Sequence, residues 1–160
     1  MMKLLIVLLS TICAMEVVSG CNILQKHAIK SEWSRALGTG IDRETFTQIF
    51  FRVFFNLAPG ARALFHRVDG NNTNSPKFIA HGLRIIAASD ILIANLDQPE
   101  TYAAELAHLK RQHSTRNISF EYFKAMDKTF TTVIPAILGM RCFSPKAWSD
   151  CFETAARGIL

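Results

Sequence analysis

The sequence predicts an all-α fold, and three observations carry that prediction. Apolar residues recur three and four places apart in one segment after another, which is the spacing of one face of a helix. Helix-start signals stand where those segments begin: Asp42, Ser75-Pro76 and Ser144-Pro145 each offer a capping side chain or a proline suited to a first turn. Strict apolar-polar alternation, the mark of a half-buried strand, is nearly absent.

Taken in order, residues 27–37 place Ile29, Trp33 and Leu37 at four-residue steps, a short amphipathic helix ended by Gly38 and Gly40. Asp42 then caps a helix running to about Leu57. Its Phe46, Ile49, Phe50, Val53, Phe54 and Leu57 form one broad apolar face, widened by Phe51 and Phe55, so this helix is contacted on more than one side. Pro59 starts a tight segment ending in Leu64-Phe65, and residues 69–75 (DGNNTNS) have the chemistry of a loop. The helix opened by Ser75-Pro76 carries Phe78, His81, Gly82, Ile85, Ser89, Leu92 and Leu96 on one stripe. After a break at Asp97-Gln98-Pro99, Tyr102, Leu106, Leu109 and His113 follow at spacings that end an apolar stripe in a histidine. A long helix is predicted from about Ile118 to Leu138, with Pro135 distorting its last turns, and a final one begins after Ser144. About seven helical segments result.

The chain of 160 residues opens with Lys3 and the apolar run LLIVLLSTICAM, which has the length of a secretory leader rather than of a membrane span. Residues 1–20 read as that leader, with small residues at Ser19 and Gly20 before Cys21; the same VSGC also suits a lipoprotein signal. Residues 21–160 then form one domain with one core. The net charge of +5 is modest and the basic residues are scattered without interleaved aromatics, which argues against a nucleic-acid surface. With Cys13 in the leader, three cysteines remain, Cys21, Cys142 and Cys151; in an oxidising compartment they imply one internal bridge and one thiol left for another chain. Three pairings are open. Joining Cys21 to Cys151 would close the longest loop, worth roughly 5 kcal/mol in the chain-entropy model.

His81 and His113 sit on apolar stripes of adjacent helices, so they can face each other across a flat apolar cofactor such as a haem, whose iron takes a neutral imidazole. The spacing alone also suits two histidines packed at the edge of a core. A zinc site would want three or four ligands at short spacings, and neither HExxH nor CxxC occurs. No Gly-rich phosphate loop and no nucleophile in a recognisable setting points to hydrolase or nucleotide chemistry.

The segments PGARALFHRV (59–68), PKFIAHGLRI (76–85), ELAHLKRQHSTRNI (105–118), YF (122–123) and AWSDC (147–151), in that order and spacing, resemble the globins, and among them the chains of annelid extracellular giant haemoglobins, the erythrocruorins. The resemblance spans essentially all of residues 21–160 and implies a globin fold of seven to eight helices around haem b (iron protoporphyrin IX). It makes His113 the axial iron ligand and His81 the histidine on the oxygen side. Phe65 would wedge against the haem face, Ile85 would line the ligand pocket where most relatives carry valine, and Phe51 would roof it. Leu109, Ile118 and Phe123 would pack on the His113 side, while Arg84 and Arg116 are placed to meet the propionates.

The same resemblance implies a Cys21–Cys151 bridge and a Cys142 that links the chain to a sister globin; a free Cys142, able to bind sulfide, is the alternative. It implies an oxygen carrier rather than an enzyme, secreted into blood or coelomic fluid, whose partners are molecular oxygen, sister globin chains and non-globin linker chains in a hexagonal bilayer, with neither nucleic acid nor membrane among them. A haem peroxidase or nitric-oxide dioxygenase on the same scaffold, and a haem-free helical carrier, are the rival classes. Two glycosylation sequons occur: Asn71-Asn72-Thr73, in a polar loop that can carry a glycan, and Asn117-Ile118-Ser119, beside His113 and expected to stay bare.

Overall fold

The structure is a computed structural model that describes residues 20–38 and 41–160; the leader expected at residues 1–20 lies, but for Gly20, outside the described residues. Among the described residues, six α-helices and two 3-10 segments account for the regular structure, and no strand occurs. The helices are α1 (Ile23–Ala36), α2 (Ile41–Leu57), α3 (Pro76–Ala94), α4 (Pro99–His113), α5 (Phe120–Leu138) and α6 (Pro145–Ile159). The 3-10 segments are Pro59–Val68 and Met140–Cys142.

Local chemistry explains several of the boundaries, although Asp42 lies inside the first turn of α2 instead of capping it and Ser144 makes no side-chain capping bond to α6. Helix α1 starts four residues earlier than its apolar spacing suggests, because Asn22 and Gln25 form a reciprocal capping box: the Asn22 side chain accepts from the Gln25 N–H and the Gln25 side chain accepts from the Asn22 N–H. Ser75 caps α3 as expected, its Oγ accepting from the Phe78 N–H at 3.2 Å. The tight segment after Pro59 is longer than its sequence signal and remains 3-10 to Val68, where Asp69 turns it off in the left-handed region (φ 64°). Asn117, also left-handed (φ 49°), delays α5 until Phe120, so Ile118 precedes that helix rather than opening it. Pro135 does not end α5, which runs on to Leu138 and closes with the Gly139 N–H donating to the Pro135 carbonyl.

The core gathers where α1, α2, α5 and α6 meet. Phe130 of α5 stacks on Trp148 of α6 at 5.5 Å and lies 4.6 Å from Phe50 of α2, while the Trp33 ring of α1 closes against Phe46, Phe130 and Trp148. Each of these rings is buried, and full burial of such a side chain contributes about 2–3 kcal/mol. Both indoles satisfy their N–H groups: Trp33 donates to Asp90 of α3 at 2.8 Å and Trp148 to the buried Glu32 of α1 at 2.7 Å. The Cys21–Cys151 disulfide is formed, tying the start of the domain to α6 across 130 positions of sequence. Of the three pairings left open by cysteine counting, this is the one the resemblance implied. Cys142 is free and exposed.

Helix α4 packs mainly on α6, touches α3 lightly, and contains no buried residue. Tyr102, at the start of its apolar stripe, packs against the core, while Leu109 and His113 at the other end border a space. Among the described residues no helix is long and apolar enough to cross a membrane.

Candidate functional site

That space is a cavity of about 740 Å³ between α3 and α4, closed behind by α5 and α6. Nine of the ten side chains assigned to a cofactor from sequence line it: Phe65, His81, Arg84, Ile85, Leu109, His113, Arg116, Ile118 and Phe123. The tenth does not. Phe51 is fully buried behind Phe65, 5.7 Å from that ring and 5.1 Å from Phe78, so it supports the wall instead of forming it. Phe54, one turn further along α2, reaches the cavity instead. Both residues lie on the broad apolar face seen in the sequence, and helical periodicity does not say which part of so wide a face meets the core.

His113 stands at the C-terminal end of α4, half-buried, with the Phe123 ring centre 5.9 Å away. Its Nδ1 lies 2.8 Å from the Leu109 carbonyl one turn earlier. A carbonyl oxygen only accepts, so Nδ1 carries a proton, and in the neutral ring Nε2 then keeps its lone pair. Among the described residues nothing bonds to that Nε2. A hydrogen bond of this kind is how proteins orient a metal-binding imidazole and choose its tautomer.

His81 enters from α3, half-buried, with the Phe65 ring edge-on at 5.6 Å. Burial, and then the positive charges of Arg84 and Arg116, lower its pKa, which favours the neutral imidazole. Its depth is set next door at Gly82, where a β-carbon would lie 2.5 Å from the Thr47 γ-methyl and 3.1 Å from the Phe51 ring. Only a glycine allows α3 to approach α2 this closely. Arg84 and Arg116 are exposed at the cavity's rim, and among the described residues neither belongs to an ion pair.

Several lining residues escaped the sequence reading: Leu64, Leu92, Tyr122, Met126 and, on α6, Phe152 and Ile159. The last two share a helical stripe at i and i+7, a visible signal, but only the packing of α6 against α4 brings that stripe to the cavity.

The residues present fit a haem. The walls are largely apolar, one imidazole offers a lone pair in the tautomer that iron accepts, a second imidazole lines the same cavity, and two guanidinium groups without an ion-pair partner stand at the rim where carboxylates would emerge. Among the described residues no group of three or more His, Cys, Asp or Glu gathers to hold a bare metal ion.

Comparison with known proteins agrees with this geometry. The globin family profile matches residues 48–159. Extracellular globin-2 of Lumbricus terrestris is 44% identical over 139 residues, covering 87% of this chain and 95% of that protein. The extracellular monomeric globin of Tubifex tubifex is 39% identical over 139 residues, covering 87% and 98% respectively. Among solved structures, a hexacoordinated haem protein from an anhydrobiotic tardigrade superposes with a TM-score of 0.70 at 17% identity, over 86% of this chain and 92% of that one, a likeness of fold alone. The matched profile, the annelid relatives and the two histidines across one apolar cavity agree: this chain belongs to the globin family.

Proposed function

We propose that this globin holds haem b in the α3–α4 cavity, where His113 would bind its iron, and carries molecular oxygen reversibly as a secreted subunit. The observation that carries the reading is the His113 hydrogen bond to Leu109, which leaves Nε2 as a free lone pair in an apolar cavity that His81 also lines. When bound, haem iron supplies the reversible affinity for oxygen. The chain's own part is to hold and enclose. Leu109 orients the His113 ring, and His81, whose pKa burial lowers toward the neutral imidazole, would donate a hydrogen bond to a polar ligand in the cavity. Phe54, Phe65, Ile85, Leu109, Ile118 and Phe123 exclude the water that promotes oxidation of ferrous iron. Arg84 and Arg116 pair with the propionates. Glu105 and His108 line the cavity from α4, on the His113 side, and among the described residues no acid or base joins His81 on the α3 side, which favours a carrier over peroxide turnover.

Residues 1–20 act as the secretory leader and residues 21–160 as the globin domain, a reading supported by the extracellular naming of the relatives and by the Cys21–Cys151 bridge. Exposed Cys142 links the chain to a sister globin, and non-globin linker chains complete the assembly. The Tubifex relative is described as monomeric, and covalent assembly of this chain would rest on Cys142.

The test is the visible spectrum of the purified chain, reduced, with and without oxygen, for wild type and His113→Ala. Oxygen-dependent Soret and visible-band changes in wild type that vanish in the variant support the reading. A chain that takes up no haem on reconstitution refutes it, and sustained turnover of peroxide with a phenolic donor would favour an enzyme.

A further inference from the structure

We propose that Asn71 is an N-glycosylation site, carrying one oligosaccharide on its side-chain amide, and that the second sequon, at Asn117, stays unmodified. The inference rests on the reading that the chain is exported. The loop holding Asn71 joins the Pro59–Val68 segment to α3, and its backbone is satisfied without help from that residue's side chain. The Gly70 N–H donates to the Phe65 carbonyl at 2.9 Å, the Asn72 N–H to Asp69 at 2.9 Å and the Ser75 N–H to Asn72 at 3.0 Å. Asn72 and Asn74 are also engaged through their side chains: Asn72 Oδ1 accepts from the Asn74 N–H at 3.2 Å, and Asn74 Oδ1 accepts from Arg52 of α2 at 3.1 Å. Asn71 alone of the three asparagines is exposed with its amide in no hydrogen bond to the described residues. A substituent on its Nδ2 therefore breaks no contact of the fold, and Thr73 supplies the hydroxyl that the acceptor motif requires.

Asn117 is exposed as well, but both neighbours are committed to the cavity: Arg116 lines its rim and Ile118 its wall. A glycan there would stand over the mouth through which haem and ligand pass. The bulky Ile118 in the middle of that motif, with serine rather than threonine after it, makes it the weaker acceptor.

The chemistry is a group transfer from a lipid-diphosphate-linked oligosaccharide of the secretory compartment. A bond forms between Asn71 Nδ2 and the anomeric carbon of the first sugar. The bond from that carbon to the diphosphate oxygen breaks, the amide loses one proton and the lipid diphosphate leaves. One consequence is architectural: a bulky hydrated chain at Asn71 keeps the 69–75 loop on the outer surface of any assembly, so subunit contacts form elsewhere.

The test expresses the full chain, leader included, in a eukaryotic secretory host and measures the intact mass of the exported protein before and after enzymatic removal of N-glycans. The expected result is one glycan on wild type, lost in Asn71→Gln and in Thr73→Ala, kept in Thr73→Ser and unaffected by Asn117→Gln. Deglycosylation should convert Asn71 to aspartate in the peptide map. An exported chain with its Cys21–Cys151 bridge formed and no glycan overturns this proposal while leaving export intact; a glycan at Asn117 overturns the site assignment. A chain retained in the cytosol with reduced cysteines overturns export and this proposal together.

Discussion

The Thr47 γ-methyl lies against the backbone of Gly82, so close that a β-carbon there would be 2.5 Å away. Thr47 cannot simply turn aside, because its hydroxyl donates to the Arg43 carbonyl at 2.8 Å and so fixes the methyl toward α3. The contact sets the spacing of α2 and α3, and with it the depth at which His81 enters the cavity.

Gly82→Ala is accordingly expected to destabilise the protein by about 1–2 kcal/mol, because the overpacking cost exceeds the helical gain of replacing glycine. Denaturant unfolding measures the loss. Combining the change with Thr47→Ser removes the nearest colliding atom and should recover part of the stability, the Phe51 ring still lying 3.1 Å from the added carbon; no recovery would place the strain at Phe51.

Opening the Cys21–Cys151 bridge by Cys21→Ser should cost several kcal/mol, approaching the roughly 5 kcal/mol expected for a loop of this length. Thermal unfolding of the variant, compared with reduced and oxidised wild type, checks this. Reduced wild type should unfold close to the variant, and a Cys142→Ser chain close to oxidised wild type, since Cys142 takes no part in the bridge.

Asp127 on α5 accepts from the Ser149 hydroxyl at 3.0 Å through one oxygen, while its other oxygen is buried without a partner. Burial raises its pKa above the ordinary 3.8, and the Ser149 hydrogen bond offsets this only in part. The folded protein thus binds the proton more tightly than the unfolded chain does. The stability this group contributes is fully present below pH 3.8 and is lost as pH rises through the folded value. Asp127→Asn should therefore stabilise the protein at neutral pH, and the advantage should shrink as the pH is lowered toward 3.8. Unfolding free energies of both proteins across an acid series test this; a gain independent of pH would mean that charge burial is not its source.

Arg62 spans the loop behind Phe65. Its guanidinium lies 4.4 Å from the Phe55 ring centre and donates to the Gly70 carbonyl at 2.8 Å, and the Gly70 N–H in turn donates to the Phe65 carbonyl. Arg62→Ala should lose about 1–2 kcal/mol of stability and loosen the Phe65 side of the cavity, which is read as faster oxidation of the ferrous haem-loaded chain. Arg62→Lys should rescue only part of both effects, because lysine keeps the charge but not the planar contact with Phe55. Full rescue by lysine would reduce the role of Arg62 to its charge.

Whatever depends on neighbours along the chain is legible in the order of the amino acids. The stripes bearing His81 and His113, the Ser75 cap of α3 and the loop at 69–75 are all local features, because helical periodicity and capping act within a few residues. Odd cysteine arithmetic likewise required one bridge and one spare thiol, although only the resemblance named Cys21 and Cys151. Packing between helices settles the rest. It placed Phe54 rather than Phe51 at the cavity, brought the α6 stripe of Phe152 and Ile159 round to it, and buried Asp127 without a second partner. These outcomes hang on how whole helices rotate and cross, and on close approaches such as Gly82 against Thr47, which join residues far apart in the chain and leave no mark in any local pattern.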